Sequence, residues 1–353
     1  DQVAGRIVML EPRRLAARAA AERMAETLGE GVGQRVGYRI RGEAKTGHAT
    51  RIEVVTEGIL TRMLQSDPSL EGVGAVIFDE FHERSLNADL GLALVLEMRA
   101  ALRPDLQLVV MSATLDADPV AALMGDAPML TAEGRAFAVE TRWLERPLAK
   151  GMRLPQAVAG QVLAALAESE GGVLVFLPGE GEIRQSAAAL AGRLPPDVHL
   201  HTLYGAMPFA QQRAAIAPAA TGRKLVLATA IAETSLTITD IRVVVDAGRA
   251  RRARFDPGAG MTRLVTGPVS RAEAEQRRGR AGRVSEGRCY RMWTKGQEGA
   301  LPAFAPPEIE TADLTGLALE LALWGAGSGE GLAFLTPPPE AVIGLLAREL
   351  GVS

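Results

Sequence analysis

Asp79 and Glu80 stand side by side at the end of a short apolar run, AVIF, with His82 two positions further on. Carboxylates are costly to bury without a partner. A pair placed there is either the solvated end of a strand, held by a helix N-terminus, or the seat of a metal ion and a reacting water. In the second reading Asp79 holds Mg²⁺ through its waters, because magnesium keeps much of its hydration shell. Glu80 then orients or deprotonates a water for in-line attack on a phosphate. The apolar run further along ends VVMSAT, so Ser112 and Thr114 fall beside the carboxylates if the two runs are neighbouring strands. Alone, such hydroxyls read as a helix cap; beside an Asp-Glu strand end they read as a link from the nucleotide site to another surface.

A third stretch, EQRRGRAGR at 275–283, packs Gln276, Arg277, Arg278, Arg280 and Arg283 around two glycines. Such groups repel one another unless they face an anion. At helical spacing Gln276, Arg280 and Arg283 share one face, with offsets of four and then three. That face suits a polyphosphate, with arginine fingers supplied from a second domain; a solvated basic face is the alternative.

The elements that must position these residues alternate. Apolar runs at Arg6–Leu10, Ile52–Thr56, Ala75–Phe78, Leu106–Met111, Val173–Leu177, Lys224–Ala228 and Arg242–Val245 predict strands. Segments at Leu15–Leu28, Asn87–Ala101, Leu154–Ser169 and Ile183–Leu194 have helical length between them. Nearly continuous apolar strands separated by helices predict parallel sheets covered on both faces. In such sheets ligands bind at the carboxyl ends of strands, where the Asp79–Glu80 pair lies. The rhythm pauses at ERPLAKGMRLP (145–155), read as a linker, and breaks again at LPAFAPPEIE (301–310), before a leucine-rich helix at Asp313–Trp324. The expected organisation is therefore α/β, with domains at 1–146 and 147–302 that look like two copies of one architecture, and a helical region from 303 to 353. DAGRARRARFDPGAGMTRLVTGP (246–268) reads as a β-hairpin with a basic flank.

Composition narrows the class. At 353 residues and 47% hydrophobic content the chain can bury a substantial core. A formal charge of −3 gives no global sign of a nucleic-acid binder, and all basic residues except Lys45, Lys150, Lys224 and Lys295 are arginines. Arginine's planar fork suits phosphate, although an arginine- and alanine-rich chain equally fits a GC-rich genome. A single cysteine, Cys289, excludes a disulfide framework and a cysteine-rich zinc site, and fits a reducing cytoplasm. No stretch approaches the apolar length of a membrane span. His48, His199 and His201 lack metal-ligand companions at suitable spacing and read as structural.

These stretches together carry a resemblance. DEFH, SAT and QRRGRAGR resemble motifs II, III and VI of superfamily 2 helicases of the DEAH/RHA group. EPRR (11–14), TEG (56–58), LVFLPGEGEI (174–183) and ATAIAETSLTI (228–238) resemble motifs Ia, Ib, IV and V. The resemblance spans nearly the whole chain. DEFH together with WGAGSGEGLAFLTPPP near the end is most similar to the bacterial HrpB-type subgroup.

The resemblance implies two tandem RecA-like domains, then the start of a winged-helix region, with ATP and Mg²⁺ between the first two and single-stranded RNA across their tops; acceptance of DNA stays open. It implies that Asp79 holds Mg²⁺, Glu80 activates water, and His82 connects to Gln276. Arg280 and Arg283 would be the fingers, Ser112 and Thr114 the coupling residues, and Ser235 and Thr237 the reporters on the nucleotide. Arg13, Arg14, Thr56, Gly205 and Thr229 would line the RNA backbone, where contacts read phosphate and sugar rather than bases. The hairpin would help part the strands.

Departures from the pattern are Phe81 for the usual alanine, Ala230 for asparagine, and Thr239 for aspartate with Asp240 one place later. Ile216 falls where an aromatic would stack on adenine. No G-x-x-x-x-G-K-[ST] loop occurs anywhere in the chain. The expectation is that this loop lies upstream of Asp1, and that further helical and oligonucleotide-binding domains follow Ser353. The leading reading is an ATP-dependent RNA helicase or translocase; the alternative is a protein of the same fold that clamps RNA without turnover.

Overall fold

The computed structural model describes residues 3–113, 117–132, 134, 136–233 and 238–351. It divides into two compact units. The first comprises 1–131, 254–263 and 306–353, and the second 132–253 and 264–305. Strand Val139–Leu144, on the N-terminal side of the expected 146/147 boundary, lies in the second unit, and the C-terminal helical segment groups with the first.

In the first unit the chain runs β1 (Arg6–Glu11), α1 (Arg14–Thr27), β2 (Val36–Ile40), β3 (Glu43–Lys45), β4 (Ile52–Thr56), α2 (Glu57–Ser66), β5 (Val73–Phe78), α3 (Leu86–Ala101), β6 (Gln107–Val110) and α4 (Asp118–Leu123). The sheet order is β3-β2-β4-β1-β5-β6, parallel except for β3. Glu11 is level with Thr56, Leu10 with Phe78, and Phe78 with Val110. The four strands β4, β1, β5 and β6 therefore end in one row, neighbours about 4.8 Å apart.

The strands form because their Val, Ile and Leu side chains are covered on both faces. On one side α1 lays Ala17, Ala21 and Ala25 against Val36, Tyr38 and Val54. On the other, α2 and α3 pack Leu60, Leu64, Leu92 and Val95 against Val8, Leu10 and Val76. Ser85 caps α3 by accepting from the Ala88 N–H at 3.1 Å. The same core takes in Ile309, and Leu317, Ala318 and Leu321 of a later helix, Thr315–Trp324.

The second unit carries β7 (Val139–Leu144), α5 (Leu154–Glu168), β8 (Gly172–Phe176), α6 (Glu180–Leu190), β9 (Val198–Leu203), α7 (Phe209–Ile216), β10 (Arg223–Ala228) and β11 (Ile241–Asp246). The hairpin strands β12 (Arg249–Asp256) and β13 (Met261–Pro268) follow, then α8 (Arg271–Gly279), β14 (Gly287–Thr294) and α9 (Lys295–Gly299). The sheet order is β7-β14-β11-β8-β10-β9, parallel throughout. In the C-terminal segment, α10 (Thr315–Trp324) and α11 (Glu340–Leu350) complete the chain.

Both sheets are the parallel, helix-covered type that the strand–helix alternation predicts. The seven expected strands all form, within one or two residues at either end. The expected hairpin forms as β12 and β13, while five strands, β2, β3, β7, β9 and β14, escape the apolar pattern. GRCYRMWT (β14) is the clearest case. Its Arg291 is 2% exposed and sits over the rings of Trp143 and Trp293 at 5.6 and 5.5 Å. Glu275 and Glu298 pair with its guanidinium. A charge accommodated in this way lets a central strand look polar in sequence.

Phe81 stands in place of a small residue and is buried in the first core at 1% exposure, edge-on to Phe78 with ring centroids 6.2 Å apart. Phe81→Ala, which restores the commoner residue, should therefore lower the unfolding free energy by about 3–5 kcal/mol. Urea denaturation measures this, and a loss below about 1 kcal/mol would mean the site collapses around the smaller side chain.

Candidate functional site

The row of strand ends in the first unit places the predicted residues together. Asp79 follows β5, and its backbone N–H donates to Leu10 O at 3.0 Å, which fixes the exit of the strand. The Glu80 N–H donates to Asp79 Oδ1 at 2.8 Å. Glu80 takes a left-handed backbone (φ 50°, ψ 35°), uncommon for a residue with a side chain. A 3₁₀ turn, Phe81–Glu83, follows, and the Phe81 N–H donates to Met111 O at 3.1 Å.

His82 joins two of the stretches. Its Nδ1 accepts from the Ala113 N–H at 3.3 Å, so the neutral ring carries its proton on Nε2, which lies 3.4 Å from Glu80 Oε2. The SAT stretch after β6 is thus hydrogen-bonded to an imidazole whose other nitrogen stands beside the Glu80 carboxylate. Ser112 is exposed at that end; Thr114 lies outside the described residues. Thr56 ends β4 and Arg13 follows β1, with Arg14 exposed at the start of α1. Arg13 Nη2 lies 3.3 Å from Glu83 Oε2, a contact between the EPRR stretch and the turn after DEFH.

Asp79 also meets the demand of a magnesium site. Its Oδ1 is taken by the Glu80 N–H, and no protein partner is found for Oδ2 among the described residues. The described residues contain no cluster of three or more metal-ligating side chains. One open carboxylate oxygen and no cage fits an ion that keeps most of its waters.

In the second unit the strand ends are again level: Ala228 is opposite both Leu203 and Phe176, and Phe176 is opposite Asp246. Gly205 and Thr229 lie just beyond these ends. A Cβ on Gly205 would meet nothing within 4 Å, and its φ is not positive, so nothing in the fold requires glycine there. Ser235 and Thr237 lie outside the described residues.

Helix α8 opens with a capping box between Ser270 and Glu273. Its arginines divide into two kinds. Arg277 is fully buried, donating to Glu233 Oε1 and Asp246 Oδ1, each at 2.7 Å, with its guanidinium 5.0 Å from the Phe176 ring. Burial alone would lower its pKa, but Asp246 and Glu233 outweigh that and raise it. Arg278 donates to Thr141 Oγ1 at 2.9 Å and Val139 O at 3.1 Å. These two arginines tie the helix to the sheet. Gln276 is partly exposed and Arg283 exposed, whereas Arg280 is 6% exposed and donates to the backbone carbonyl of Glu233. The whole EQRRGRAGR stretch therefore does not need an external anion. Glu233 and Asp246 neutralise its centre, a pairing that sequence spacing does not reveal.

The basic flank of the hairpin is partly neutralised as well. Arg251 meets Glu182 at 3.2 Å and Arg252 meets Glu273 at 2.6 Å, while Arg249 and Arg254 are exposed.

Residues 1–123 match the family model of the DEAD/DEAH box helicases, and residues 156–285 that of the helicase conserved C-terminal domain. The chain belongs to the DEAD/DEAH box helicase family. Among its helicase relatives, the ATP-dependent RNA helicase HrpB of Escherichia coli K12 is 51% identical over 348 residues, covering 98% of this chain and 42% of that protein. The Schizosaccharomyces pombe pre-mRNA-splicing factor ATP-dependent RNA helicase prp22 is 40% identical over 338 residues, covering 93% of this chain and 29% of that one. A crystal structure of the E. coli DEAH/RHA helicase HrpB superposes with a TM-score of 0.91 at 50% identity, covering 99% of this chain and 44% of that one. The chain thus spans less than half the length of these helicases. As in them, its fold is two RecA-like parallel-sheet domains.

One titratable group at this end of the first sheet has no counterpart in the sequence reading. Glu57, the first residue of α2, is partly exposed as a residue, yet its carboxyl is surrounded by protein. Burial pushes its pKa up to about 8; the Ser85 hydroxyl, donating at 2.7 Å, works against this, while Glu83, Glu308 and Asp89 add to the rise. The folded state therefore holds a proton that the unfolded chain releases above about pH 4.5. This contribution to stability is complete below about 4.5 and is lost progressively as the pH rises to about 8. Glu57→Gln keeps the acceptor for Ser85 without the titration. The melting temperature of the variant relative to the parent should rise across that pH window and level off above it; a difference constant with pH would show that Glu57 is ionised in the fold.

Proposed function

We propose that the protein carrying this chain is an ATP-dependent RNA helicase or translocase that hydrolyses ATP and tracks single-stranded RNA along the strand ends. The observation that carries this reading is the row at one end of the first sheet. There the Asp79–Glu80 pair lies beside His82, which is hydrogen-bonded to the SAT stretch, at the same end of the sheet as Thr56 and Arg13. A site that converts a phosphate event into a grip on nucleic acid needs this adjacency.

Glu80 is the group that orients and deprotonates the attacking water. Its left-handed backbone sets the direction of its carboxylate, and His82 Nε2–H faces that carboxylate. Magnesium, when bound, would be held by Asp79 through its waters and would neutralise phosphate charge. Gln276 on α8 and Arg283 just beyond it, partly exposed and exposed respectively, are groups available to a nucleotide phosphate. Arg280 acts from a more buried position, oriented by the Glu233 carbonyl. Ser112 and Thr114 couple the sites, and Ser235 and Thr237 report on the nucleotide. Arg13, Arg14, Thr56, Gly205 and Thr229 contact phosphate and sugar, so sequence preference is weak; at Gly205 the open space admits a backbone ribose or phosphate. The exposed Arg249 and Arg254 add positive charge along the hairpin. Among the described residues no helix is long and apolar enough to cross a membrane, and the one cysteine is buried; we place the protein in the cytoplasm.

Three outcomes test this. In the full-length protein Glu80→Gln should still bind ATP while hydrolysis falls by about 10² or more; near-normal turnover removes Glu80 from the role. Arg280→Ala and Arg283→Ala should each lower kcat by on the order of 10³ with little change in ATP affinity; a change confined to RNA affinity would move them to the RNA surface. Residues 1–353 alone lack the phosphate-cradling motif, whose backbone N–H groups and lysine hold the phosphates. Purified on its own, this segment should show no RNA-stimulated ATPase and at most weak, salt-sensitive RNA binding. Robust turnover by it would show a nucleotide site built differently.

A further inference from the structure

The turn that carries Glu80 is held by a part of the chain remote from the helicase motifs. Two residues with side chains, Glu80 and Arg84, flank the Phe81–Glu83 turn in left-handed backbone, Arg84 at φ 48° and ψ 44°. Each such residue is strained and persists only where its surroundings over-determine it. What over-determines Arg84 is visible. Its Nε and Nη2 donate to the two oxygens of Asp89 at 3.0 and 2.9 Å, a bidentate pair in which the Asp89 side chain is fully buried. Nη2 also donates to Thr336 Oγ1 at 2.8 Å.

The backbone is held from the same side. The Glu308 N–H donates to Arg84 O at 3.0 Å, and Glu308 Oε2 accepts from the Leu86 N–H at 2.7 Å. Glu308 and Thr336 belong to the segment that begins at Pro306, whose Ile309, Leu317, Leu321 and Phe334 enter the core containing Phe81. Docking of this segment and the shape of the turn are therefore two aspects of one packing arrangement.

We propose that Arg84 and Glu308 are positioning residues for Glu80: the C-terminal segment from Pro306 to Thr336 holds the left-handed turn that aims the Glu80 carboxylate, so its docking sets the rate of hydrolysis. This rests on the reading of Glu80 as the group that activates water. The arrangement makes the nucleotide site sensitive to anything that displaces the segment. It also explains why an arginine, able to span both Asp89 oxygens and Thr336 at once, follows the DEFH stretch; a lysine is a single point donor and cannot.

The test uses the full-length protein and measures kcat and KM for ATP at saturating RNA, with thermal unfolding on the same samples. Arg84→Lys should lower kcat about ten- to a hundredfold, in line with the cost of misplacing a reacting group, with KM for ATP changed less than about twofold. Thr336→Val, which removes one hydrogen bond from a partly exposed residue, should lower kcat about threefold or more and keeps the test open should Arg84→Lys fold poorly. A merely structural role would leave kcat per folded molecule unchanged, and that result overturns the proposal. The double variant Glu80→Gln/Arg84→Lys separates the two further: if Arg84 acts through Glu80, it is no slower than Glu80→Gln alone. Multiplied losses overturn the positioning role while leaving Glu80 in place. Near-normal turnover in Glu80→Gln, or absence of RNA-stimulated ATPase in the parent, overturns the functional reading and this inference with it.

Discussion

A parallel strand covered on both faces can place a polar group in its interior only with a buried partner, and otherwise only at its ends; both units of this chain are built on that constraint. Val8, Leu10, Val76 and Phe78 are buried along the first sheet, and Val173, Val175, Val226 and Val244 along the second. Chemistry is displaced to the residues just beyond them: Thr56, Arg13, Asp79 and Ser112 in one unit, Gly205 and Thr229 in the other. Because parallel register sets Glu11 level with Thr56, and Leu10, one residue back, level with Phe78 and Val110, residues far apart in sequence meet in a row without any dedicated scaffold. The lateral bonds of that row, Arg13 to Glu83 and Ala113 to His82, are consequences of sheet order.

Charge is sorted by the same constraint. Arg277 is buried because two carboxylates, Glu233 and Asp246, meet its fork, and Asp246 is available because β11 ends there. Removing one member of such a cluster would leave an uncompensated buried charge, which costs several kcal/mol. The glycines of the segment do different work. A Cβ on Gly282 would lie 2.6 Å from Phe137 O, so glycine is needed there for close packing, whereas Gly279 faces open space. The basic run is thus partly an internal strut and partly an outward face, with Arg283 on the outward side.

The elements legible in the sequence were those whose energetics are local or apolar. Strands such as Arg6–Glu11 and Arg223–Ala228 follow from continuous apolar runs. The Asp79–Glu80 pair was visible because two adjacent carboxylates after a buried strand contradict burial. Strand β14 and the role of Arg277 were not visible, since each depends on partners more than ten residues away: Trp143 and Glu275 for Arg291, Glu233 and Asp246 for Arg277. The raised pKa of Glu57 was invisible for the same reason; it reflects burial first, and then acidic neighbours from the Phe81–Glu83 turn, α3 and the Pro306 segment. Departures noted in the sequence acquire local meanings. Phe81 fills the core. Asp240 is exposed in a left-handed turn (φ 69°), and the Thr239 hydroxyl oxygen is buried with no partner among the described residues. Both residues lie in the turn before β11, and the one-place shift puts the acidic side chain on its exposed, left-handed position.

Around Glu80, several local preferences are overruled together. Glu80 and Arg84 take left-handed backbone, Glu57 keeps a proton at neutral pH, and an aromatic ring occupies a place where a small side chain would suffice. Their concentration in and beside one turn means that the surrounding packing, rather than local propensity, fixes its shape. That packing comes from β6 through Met111, from α3 through Asp89, and from the segment beginning at Pro306 through Glu308 and Thr336. A turn determined from three directions responds to displacement of any one of them. The sensitivity of this end of the sheet is therefore a property of how the turn is held, as much as of the residues it presents.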